Sequence, residues 1–465
     1  MTSTSKVAAI VQNAAPPSND PPPQYSQDDL AAKFVARYSR ELRFIADKNK
    51  WVMWDGTCWR EDAKKSFFNK ARLIAREAAN EILLTSNKKP AQVEAKALAS
   101  SKTRAAIIAL ASDDPKMATA TKQWDIDDFA LNTPGGIVNL KTGEMRPHSH
   151  NEFVTKITAV APDAGVKIER WLKFLDEVTA GDRELRDYLQ RVCGYCLTGD
   201  TSEQALFFAH GFGGNGKGVF FRTVTEIMGD YHRTAGIETF TASSFDRHTT
   251  ELAALHAARL VTSSETEEGR KWAEARIKQL TGADPIEARF MRQDSFTFVP
   301  KFKLLISGNH KPGVRAVDAA IRRRMNLIPF TVTIEKVNKH LHDELREEWP
   351  GILAWMVEGC RSWSEKGLNP PDAVKIATDE YLDDEDAVAG WINDRCEQKP
   401  NAYAPVSLLY DSFCKWAAKA NEYAGTRKKF SQWLEGKGFK RKRGDARGFI
   451  GLELRKDGDG EDEAM

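Results

Sequence analysis

This sequence has no long apolar run, few cysteines and almost no net charge. No stretch approaches the roughly 20 consecutive apolar residues that a membrane-spanning helix needs, and the first residues lack the apolar core of a signal peptide. The chain has 465 residues but only six cysteines, too few for a disulfide framework. The formal net charge is +2, so any basic surface must be local. We therefore expect a cytosolic protein that makes no membrane contact.

Two of the cysteines, Cys193 and Cys196, form a C-x-x-C pair in the apolar helical run LQRVCGYCLTG. Zinc or redox chemistry at such a pair needs a second Cys pair or a close His, and the neighbouring sequence has neither. We interpret the two thiols as buried structural residues.

Composition and periodicity divide the chain into five segments. With 41% hydrophobic and 29% charged residues, a chain of this length is expected to form two or three domains. The segments are a Pro- and Ser-rich tail predicted to be disordered (1–27), an N-terminal domain of helices and short strands (28–165), a region of alternating strands and helices (166–375), a small C-terminal module (385–456) and an acidic tail (457–465).

The N-terminal domain contains an aromatic hairpin, WVMWDGTCWRED, with an Asp-Gly turn. Trp51, Trp54 and Trp59 could stack on bases, but we predict that they pack in a core. In the central region the strands QALFFAH, ARLVTSS and FKLLISGN alternate with helices. This alternation predicts a mostly parallel sheet that is covered on both faces.

A glycine-rich stretch follows the first of these strands. Residues 211–217 satisfy G-x-x-x-x-G-K between an apolar strand and a helix, the setting of a phosphate-binding loop. Backbone N–H groups and the helix N-terminus would hold the phosphates of ATP, and Lys217 would reach the β- and γ-phosphates. The alternative is a purely structural glycine turn. The candidate nucleotide-binding residues are Gly211, Phe212, Gly213, Gly214, Asn215, Gly216, Lys217 and Gly218.

Gly218 departs from the pattern, because a Ser or Thr hydroxyl normally ligates Mg²⁺ at this position. A carboxylate at the end of the next strand could take over part of that role. We assign Glu265 to Mg²⁺ or to the attacking water and Glu267 to a supporting role, against the alternative of an acidic turn. Asn309 ends a third strand, where an amide can hold the water or sense the γ-phosphate. Arg322–Arg324 precede a fourth strand, and a guanidinium there suits a transition-state phosphate.

Taken in order, these motifs resemble a superfamily 3 helicase of the phage and plasmid primase C-terminal family, which includes the poxvirus-type replicative ATPases. LNTPGGIVNLKTGEM is similar to the family's pre-helicase signature, and the glycine loop to its first ATPase motif. RLVTSSETEEG, IKQLTGADPIEARFMRQ, LLISGNHKP, RRRMNLIPF and WPGILAWMVEGCRSWSEKGL continue the similarity downstream. Several blocks in one order are far more specific than any one of them.

The resemblance implies an α/β P-loop ATPase core of the AAA+-like type with a mixed helical N-terminal domain. It implies an ATP- and Mg²⁺-dependent hexameric translocase that works on single- and double-stranded DNA with other replication proteins, encoded by a phage or plasmid of a bacterial host. The family's Arg-Arg-apolar-x-x-Ile-Pro-Phe register falls on Arg323 and Arg324, and we prefer Arg323 as the finger supplied to a neighbouring subunit.

Two regions are candidates for DNA contact. The stretch GADPIEARFMRQDSFTFVP predicts a hairpin, which in this class projects into the central channel, so Arg289, Arg292 and the preceding Lys278 are candidates. The C-terminal module has a helix followed by a basic wing, typical of a winged helix. Its candidate contacts are Arg427, Lys428, Lys429, Lys440, Arg441, Lys442 and Arg443. The alternative is an ordinary hairpin with solvent-exposed arginines in the first region, and a solvated or subunit-contacting face in the second.

Other functions remain open at this stage. Relatives often carry a primase module, but between residues 28 and 165 only the DIDD run at Asp125–Asp128 offers candidate metal ligands, so we do not expect primer synthesis here. The chain could instead be a primase-helicase, an initiator or loader that uses ATP only to assemble on DNA, or a remnant whose ATPase has decayed.

Overall fold

The computed structural model describes residues 21–86, 88–242, 250–264, 270–291, 294–314, 317–384, 387–420, 424–442 and 447–455. Contacts between residues divide the chain into two compact units. The first comprises residues 1–126 and 148–155, and the second comprises residues 127–147 and 156–465. The acidic tail at 457–465 and residues 1–20 of the predicted N-terminal tail lie outside the described residues.

The first unit combines helices with a small mixed sheet. Its strands are β1 (Leu42–Ile45), β2 (Lys50–Trp54), β3 (Trp59–Glu61) and β4 (Ala118–Thr119), and its helices are α1 (Gln27–Tyr38), α2 (Ser66–Thr85), α3 (Lys89–Leu98) and α4 (Ser101–Asp113). The sheet order is β3-β2-β1-β4, with β4 parallel to β1 and the other pairs antiparallel. The predicted aromatic hairpin is β2 and β3.

The tryptophans of this hairpin pack mainly in the core of the first unit. Trp51 is 7% exposed and stacks on Phe67, with ring centroids 5.3 Å apart. Trp59 is 1% exposed and meets Trp124 edge to face. Trp54 is half-buried beside Trp59. The prediction of a structural role is confirmed for Trp51 and Trp59.

The second unit holds the remaining elements. It begins with an antiparallel sheet of β5 (Ala130–Thr133), β6 (Gly136–Asn139) and β7 (Met145–Arg146). The main strands are β8 (Leu206–His210), β9 (His232–Thr234), β10 (Leu260–Ser264), β13 (Lys303–Gly308) and β14 (Met325–Pro329), and β11 (Ile286–Arg289) and β12 (Ser295–Phe298) form a separate hairpin. The helices are α5 (Glu169–Val178), α6 (Arg183–Cys196), α7 (Lys217–Met228), α8 (Thr250–Ala253), α9 (Glu274–Thr281), α10 (Ala319–Arg322), α11 (Leu341–Glu347), α12 (Trp349–Lys366) and α13 (Asp372–Asp384).

The five main strands form one sheet in the order β14-β8-β13-β10-β9, and every neighbouring pair is parallel. This confirms the predicted parallel sheet. Parallel strands end at the same side of a sheet, which we call the carboxyl edge, and begin at the opposite side, the amino edge. His210 at the end of β8 is level with Gly308 of β13 and Pro329 of β14.

Both faces of this sheet are buried, as predicted. Successive side chains of a strand point to opposite faces, so a central strand that is covered on both sides is apolar throughout. Along β8, Phe207 joins the core that contains Phe220 of α7 and Ile352 of α12. Its neighbour Phe208 joins the core that contains Trp272 and, within α9, Ile277. The sheet and its carboxyl edge therefore lie between two apolar cores, one on each face.

The C-terminal part of the second unit is a small α/β arrangement. It consists of α14 (Ala387–Arg395), β15 (Cys396–Pro405), α15 (Val406–Lys419), α16 (Arg427–Gly436), β16 (Lys440–Lys442) and β17 (Gly448–Leu454). The strand order is β15-β17-β16, with both pairs antiparallel. Trp391, Phe413 and Phe430 are at the centre of its own core. The predicted order of a helix followed by two strands is confirmed, whereas its DNA-binding role stays a prediction.

Candidate functional site

The chain between β8 and α7, residues 211–216, forms the glycine loop. Gly216 has a φ of +83°, a conformation that favours glycine, and it opens α7 as its N-cap. A Cβ at Gly211 would collide with the carbonyl oxygen of Phe330. The loop therefore depends on glycine at both positions, and it leads directly into the first turn of a 12-residue helix.

Hydrogen bonds tie this loop to the chain that follows β14. The buried Asn215 donates from Nδ2 to the carbonyl oxygen of Phe330 (2.8 Å), and its Oδ1 accepts from the N–H of Lys217 (3.3 Å). The N–H of Ile334 donates to the carbonyl oxygen of Gly214 (2.9 Å). The conformation of the loop is therefore fixed by contacts far away in sequence.

Lys217 lies at the centre of the arrangement. Its side chain is buried, at 6% exposed for the residue, and Nζ donates to the carbonyl oxygen of Gly211 and to Asn309 Oδ1, the latter at 3.2 Å. Burial lowers the pKa of Lys217. Both acceptors are neutral, so the structure gives this ammonium no carboxylate partner among the residues described. An ammonium and a helix N-terminus at one place form a site suited to an anion.

His210 ends β8 beside this lysine. Burial, followed by the positive charges of Lys311 and Lys217, lowers the pKa of His210 to about 4. The imidazole is therefore neutral near pH 7, and it adds no positive charge of its own to the carboxyl edge under those conditions.

The structure describes Gly218 but not the two predicted carboxylates. A Cβ added at Gly218 would meet nothing within 4 Å, so a side chain fits there. Glu265 and Glu267 lie outside the described residues. The residue before them, Ser264, ends β10 level with Ser307 of β13. The last described residue of that strand therefore lies at the same edge as the glycine loop.

The three consecutive arginines have distinct environments. Arg322 is paired with Asp379 and Asp383 of α13, at 2.7 Å each. Arg323 is exposed, and its guanidinium donates to Gln204 Oε1 at 3.3 Å. Arg323 is the exposed one of the three, and its guanidinium forms no ion pair with a described carboxylate.

Arg324 is held in the interior. It is 6% exposed and donates to Gln204 Oε1 (2.7 Å), Thr281 Oγ1 (3.1 Å) and the carbonyl oxygen of Ala320 (2.9 Å). Its contacts connect α9, α10 and the start of β8 within one chain. The preference for Arg323 over Arg324 as an exchangeable arginine thus agrees with the geometry, although its catalytic role stays a prediction.

The arginines and the glycine loop lie at opposite edges of the sheet. The N–H of Leu206, which begins β8, donates to the carbonyl oxygen of Arg324 (2.7 Å). The glycine loop leaves the other end of the same strand. A five-residue strand spans about 17 Å, so within one chain this strand separates the two sites.

The candidate DNA-contacting hairpin is present as β11 and β12, paired from Ile286 with Phe298 to Arg289 with Ser295. Arg289 is exposed at its end, and Met291 near the tip is 75% exposed. Arg292 lies outside the described residues. Lys278 lies in the last turn of α9 and forms an ion pair with Asp318.

The basic residues of the C-terminal part lie on its surface. Lys428 and Lys429 are exposed in the first turn of α16. All three residues of β16, which are Lys440, Arg441 and Lys442, are exposed, and Arg441 lies 3.4 Å from Glu435. Arg443 lies outside the described residues. The structure thus brings two basic segments into one small α/β arrangement without assigning a ligand to them.

Cys193 and Cys196 are buried within α6, and burial raises the pKa of Cys196 to about 12. In the described part of the chain, no group of three or more His, Cys, Asp or Glu side chains could hold a metal ion. None of the described helices is long and apolar enough to cross a membrane.

The acidic DIDD run serves local structure. Asp125 accepts hydrogen bonds from the N–H and the hydroxyl of Thr155. Asp127 accepts from the N–H of Phe129, and Asp128 forms an ion pair with Lys301 at 2.7 Å. These carboxylates are therefore engaged with separate partners.

Sequence reasoning missed three contributors to the site. His210 lies within an apolar strand pattern, Gln204 holds two arginines, and Ile334 fixes the loop through its backbone. Only His210 had a usable signal, because it directly precedes the glycine loop. Contacts such as those of Gln204 and Ile334 depend on which strands are neighbours in the sheet. The local sequence does not indicate the order of the strands.

Two family models match parts of the chain. Residues 31–180 match the model described as D5 N terminal like, and residues 209–324 match a family of unknown function. Two viral proteins, each named "Putative helicase", are similar in sequence. The one from Acanthamoeba polyphaga mimivirus is 22% identical over 321 residues, covering 63% of this chain and 33% of that protein. The one from Frog virus 3 (isolate Goorha) is 22% identical over 281 residues, covering 56% and 29%.

Among solved structures, two apo structures of the NrS-1 C-terminal region are similar, at TM-scores of 0.47 and 0.48 and identities of 11% and 12%. They cover 90% and 93% of this chain, and 98% and 100% of the solved chains. The chain spans about a third of the length of its viral relatives. The comparisons thus relate this mixed α/β protein with a parallel sheet to viral proteins that carry a helicase name.

Proposed function

We propose that this chain is an ATP-dependent DNA helicase of superfamily 3, of the phage- or plasmid-replication type, which works as a ring with ATP held between subunits in the cytosol of a bacterial host. The observation that carries the proposal is the position of Lys217. Its ammonium lies at the N-terminus of α7, beside a glycine loop and 3.2 Å from Asn309, with no described carboxylate to neutralise it. The names of the viral relatives support the same class of enzyme.

The carboxyl edge is the proposed triphosphate site. The first N–H groups of a helix have no backbone partner within the helix; that of Lys217 donates to Asn215, so those of Gly218 and Val219 are the donors proposed to meet phosphate oxygens. Lys217 would exchange its neutral acceptors for a β- or γ-phosphate, and Asn309 would then be free to orient a water. When bound, ATP with Mg²⁺ supplies the phosphoanhydride bond and the charge neutralisation that its hydrolysis requires. Glu265 is the residue proposed to hold the metal, with Glu267 in support.

The arginine finger is proposed to act across a subunit boundary. Arg323 lies at the amino edge of its own sheet, so it is separated from its own glycine loop by the length of β8. A neighbouring subunit in a ring could place its loop beside this exposed guanidinium. Arg324 would position Arg323 through Gln204, which accepts hydrogen bonds from both arginines.

Two surfaces are proposed to contact DNA. The hairpin of β11 and β12 would present Arg289, and outside the described residues Arg292, to a strand in the channel, with Lys278 behind it. The C-terminal part would act as a winged helix that contacts duplex phosphates through Lys428, Lys429 and the basic strand β16.

The test is steady-state ATP turnover with and without single-stranded DNA, together with strand displacement from a forked duplex. Wild type is compared with Lys217→Ala and with Lys366→Ala, which removes an exposed lysine from the end of α12. We expect DNA to stimulate turnover in wild type and in Lys366→Ala, and we expect Lys217→Ala to abolish both activities. Particle mass with and without nucleotide tests the ring.

The outcomes separate the candidate functions. DNA-independent turnover without strand displacement would identify an ATP-switched initiator or loader in place of a motor. Absence of metal-dependent turnover in wild type would identify a decayed ATPase and overturn the proposal.

A further inference from the structure

The first unit contains a cavity of about 290 Å³ formed by residues other than those of the glycine-loop site. It lies where the chain enters the parallel strands β1 and β4 and where the segment 148–153 returns. Four of its lining residues are basic, Arg40, Arg43, Lys116 and His150, and none of its lining residues is acidic. A cavity whose charged groups are all basic and come from three separate segments is suited to an anion.

The two outer basic residues are exposed and available. Arg40 follows α1, and Lys116 follows α4. In the part of the chain that the structure describes, neither side chain forms an ion pair with a carboxylate. Asp114, two residues before Lys116, accepts a hydrogen bond from the backbone N–H of Lys116 through one carboxylate oxygen, and Glu41, next to Arg40, forms an ion pair with Lys70 at 2.6 Å. Their positive charges are therefore not neutralised locally.

Arg43 is fixed in orientation at the inner side of the cavity. Its guanidinium lies over the rings of Trp59 and Phe153, with the carbon 5.4 Å and 5.9 Å from the ring centroids. One of its five N–H groups donates to the carbonyl oxygen of Leu42 at 2.9 Å. These contacts already restrict the guanidinium in the folded protein. Binding a phosphate through its remaining N–H groups therefore costs little further conformational entropy.

The segment that supplies His150 and Phe153 is held under backbone strain. Phe153 has a φ of +48°, an unusual value for a bulky residue. Its carbonyl oxygen accepts from the N–H of Asp125 (3.2 Å), and the carboxylate of Asp125 accepts from the N–H of Thr155 (2.8 Å). The N–H of Trp59 donates to the next carbonyl, that of residue 154 (2.9 Å). Tertiary contacts therefore maintain a conformation that the chain would otherwise avoid.

The electrostatics agree with this geometry. Burial, then the charges of Arg43 and Arg40, lower the pKa of His150, and burial lowers the pKa of Arg43. A bound anion would oppose both changes, because it stabilises the protonated forms.

We propose that this cavity is a second phosphate-binding site, in which Arg40, Arg43 and Lys116 hold a phosphate group of a nucleotide. The phosphate can belong to the backbone of single-stranded DNA or to a free nucleoside triphosphate, and the chemistry of recognition is the same. Phe153 offers an aromatic surface for the adjoining base or sugar, a combination common in single-strand binding. The site uses no residue of the proposed ATPase or of the basic C-terminal surface.

The experiment compares Arg40→Ala/Lys116→Ala with Arg76→Ala/Lys102→Ala in the full chain. Each double variant removes one exposed arginine and one exposed lysine from the first unit, so net charge is matched. Binding of a fluorescein-labelled oligo(dT) is followed by anisotropy over about 50 to 200 mM salt. Binding of a fluorescent ATP analogue is measured in parallel with Lys217→Ala added to each double variant and to a reference chain that carries Lys217→Ala alone, so that the glycine-loop site does not contribute.

If a DNA phosphate occupies the cavity, the slope of log Kd against log salt becomes shallower by about 0.7 for the cavity variant, the value for one single-strand phosphate contact. The matched control keeps the wild-type slope. If a free nucleotide occupies it, oligo(dT) binding is unchanged and the cavity variant binds the ATP analogue more weakly. Equal behaviour of the two double variants toward both ligands would overturn the proposal.

A charge-retaining variant separates recognition from folding. Arg40→Lys/Lys116→Arg keeps both positive charges at exposed positions, so we expect it to retain most of the affected binding. If it loses as much binding as the alanine variant, the charge of the cavity is not the cause and the site does not exist as proposed. These outcomes do not depend on whether the chain is a helicase, because binding is measured and ATP turnover is not.

Discussion

Lys217 Nζ lies 3.2 Å from Asn309 Oδ1, across two neighbouring strands of the parallel sheet. The two residues are 92 positions apart in sequence, and they meet because β8 and β13 both end at the carboxyl edge. The amide keeps the lysine in place without neutralising its charge. Lys217 is thus held by a neutral acceptor, whereas a carboxylate at the same position would form a salt bridge with it.

Replacing that amide by a carboxylate should therefore disable the site. In Asn309→Asp an ion pair with Lys217 would raise the pKa of the lysine and repel the γ-phosphate. We expect the affinity for an ATP analogue to fall by about tenfold or more, because a charge-assisted interaction contributes about 1.5–3 kcal/mol. Isothermal titration calorimetry measures this. Asn369→Asp adds the same charge at an exposed position elsewhere, and an equal loss in that control would argue against a local effect.

Gly218 offers a gain-of-function test. Because a Cβ there meets nothing within 4 Å, Gly218→Ser should fold normally and should supply the hydroxyl that Mg²⁺ lacks at this position. We expect the Mg²⁺ concentration needed for half-maximal binding of the ATP analogue to fall. Gly436→Ser, at another helical glycine with open space at its Cβ, is the matched control. An unchanged Mg²⁺ dependence in Gly218→Ser would show that the metal is held in another way.

Arg323 and Arg324 should respond differently to truncation. Arg323→Ala removes an exposed guanidinium, so we expect unchanged thermal stability, retained nucleotide binding and a loss of turnover of about 10³-fold. Arg324→Ala removes a buried guanidinium that donates to the buried Thr281 hydroxyl and to the half-buried Gln204 and Ala320 oxygens, so we expect the free energy of unfolding to fall by about 2–3 kcal/mol. Denaturant unfolding and steady-state turnover separate the two effects.

Mixing experiments test whether Arg323 acts between subunits. Subunits with Arg323→Ala and subunits with Lys217→Ala are each expected to be inactive alone. A mixed assembly contains some interfaces with an intact lysine from one subunit and an intact arginine from the next, so turnover should partly return. If no mixture regains activity although mass measurements show mixed oligomers, the finger does not act in trans.

Acid should destabilise the second unit through His210. Its folded pKa of about 4 lies below the ordinary value of about 6.5. As pH falls from about 6.5 towards 4, the unfolded state binds a proton that the folded state does not, so stability decreases over this range. Because the ring is only partly shielded from solvent, we expect a loss of about 1–2 kcal/mol. His210→Gln should reduce this loss in denaturant titrations at about pH 7 and pH 5. His340→Gln, at an exposed histidine, should preserve it.

Local patterns in the sequence were sufficient for much of the second unit. Apolar strands that alternate with helices predicted the parallel sheet, and the glycine spacing placed Lys217 at the start of a helix. The position of Asn309 beside Lys217 followed from the rule that parallel strands end at one edge. In the first unit, alternating aromatic residues and an Asp-Gly turn predicted the hairpin of β2 and β3.

Long-range relationships were beyond such patterns. Which of three adjacent arginines is buried depends on Gln204 and Thr281, residues that no periodicity connects to them. The basic cavity of the first unit gathers residues from three segments, and each of them alone looks like an ordinary surface residue. The order of the strands, with β14 next to β8, is also a property of the assembled sheet.

That order has a mechanical consequence. The arginine triplet precedes β14 directly, and the glycine loop is hydrogen-bonded to Phe330, which follows β14, and to Ile334 four residues later. The five residues of β14, paired along their length with β8, therefore connect the arginine triplet to the segment that holds the glycine loop. In the proposed ring, a conformational change at one nucleotide site would reach, through the five residues of β14, the arginine that acts at the neighbouring site. The order in which the subunits hydrolyse ATP would then depend on this short strand.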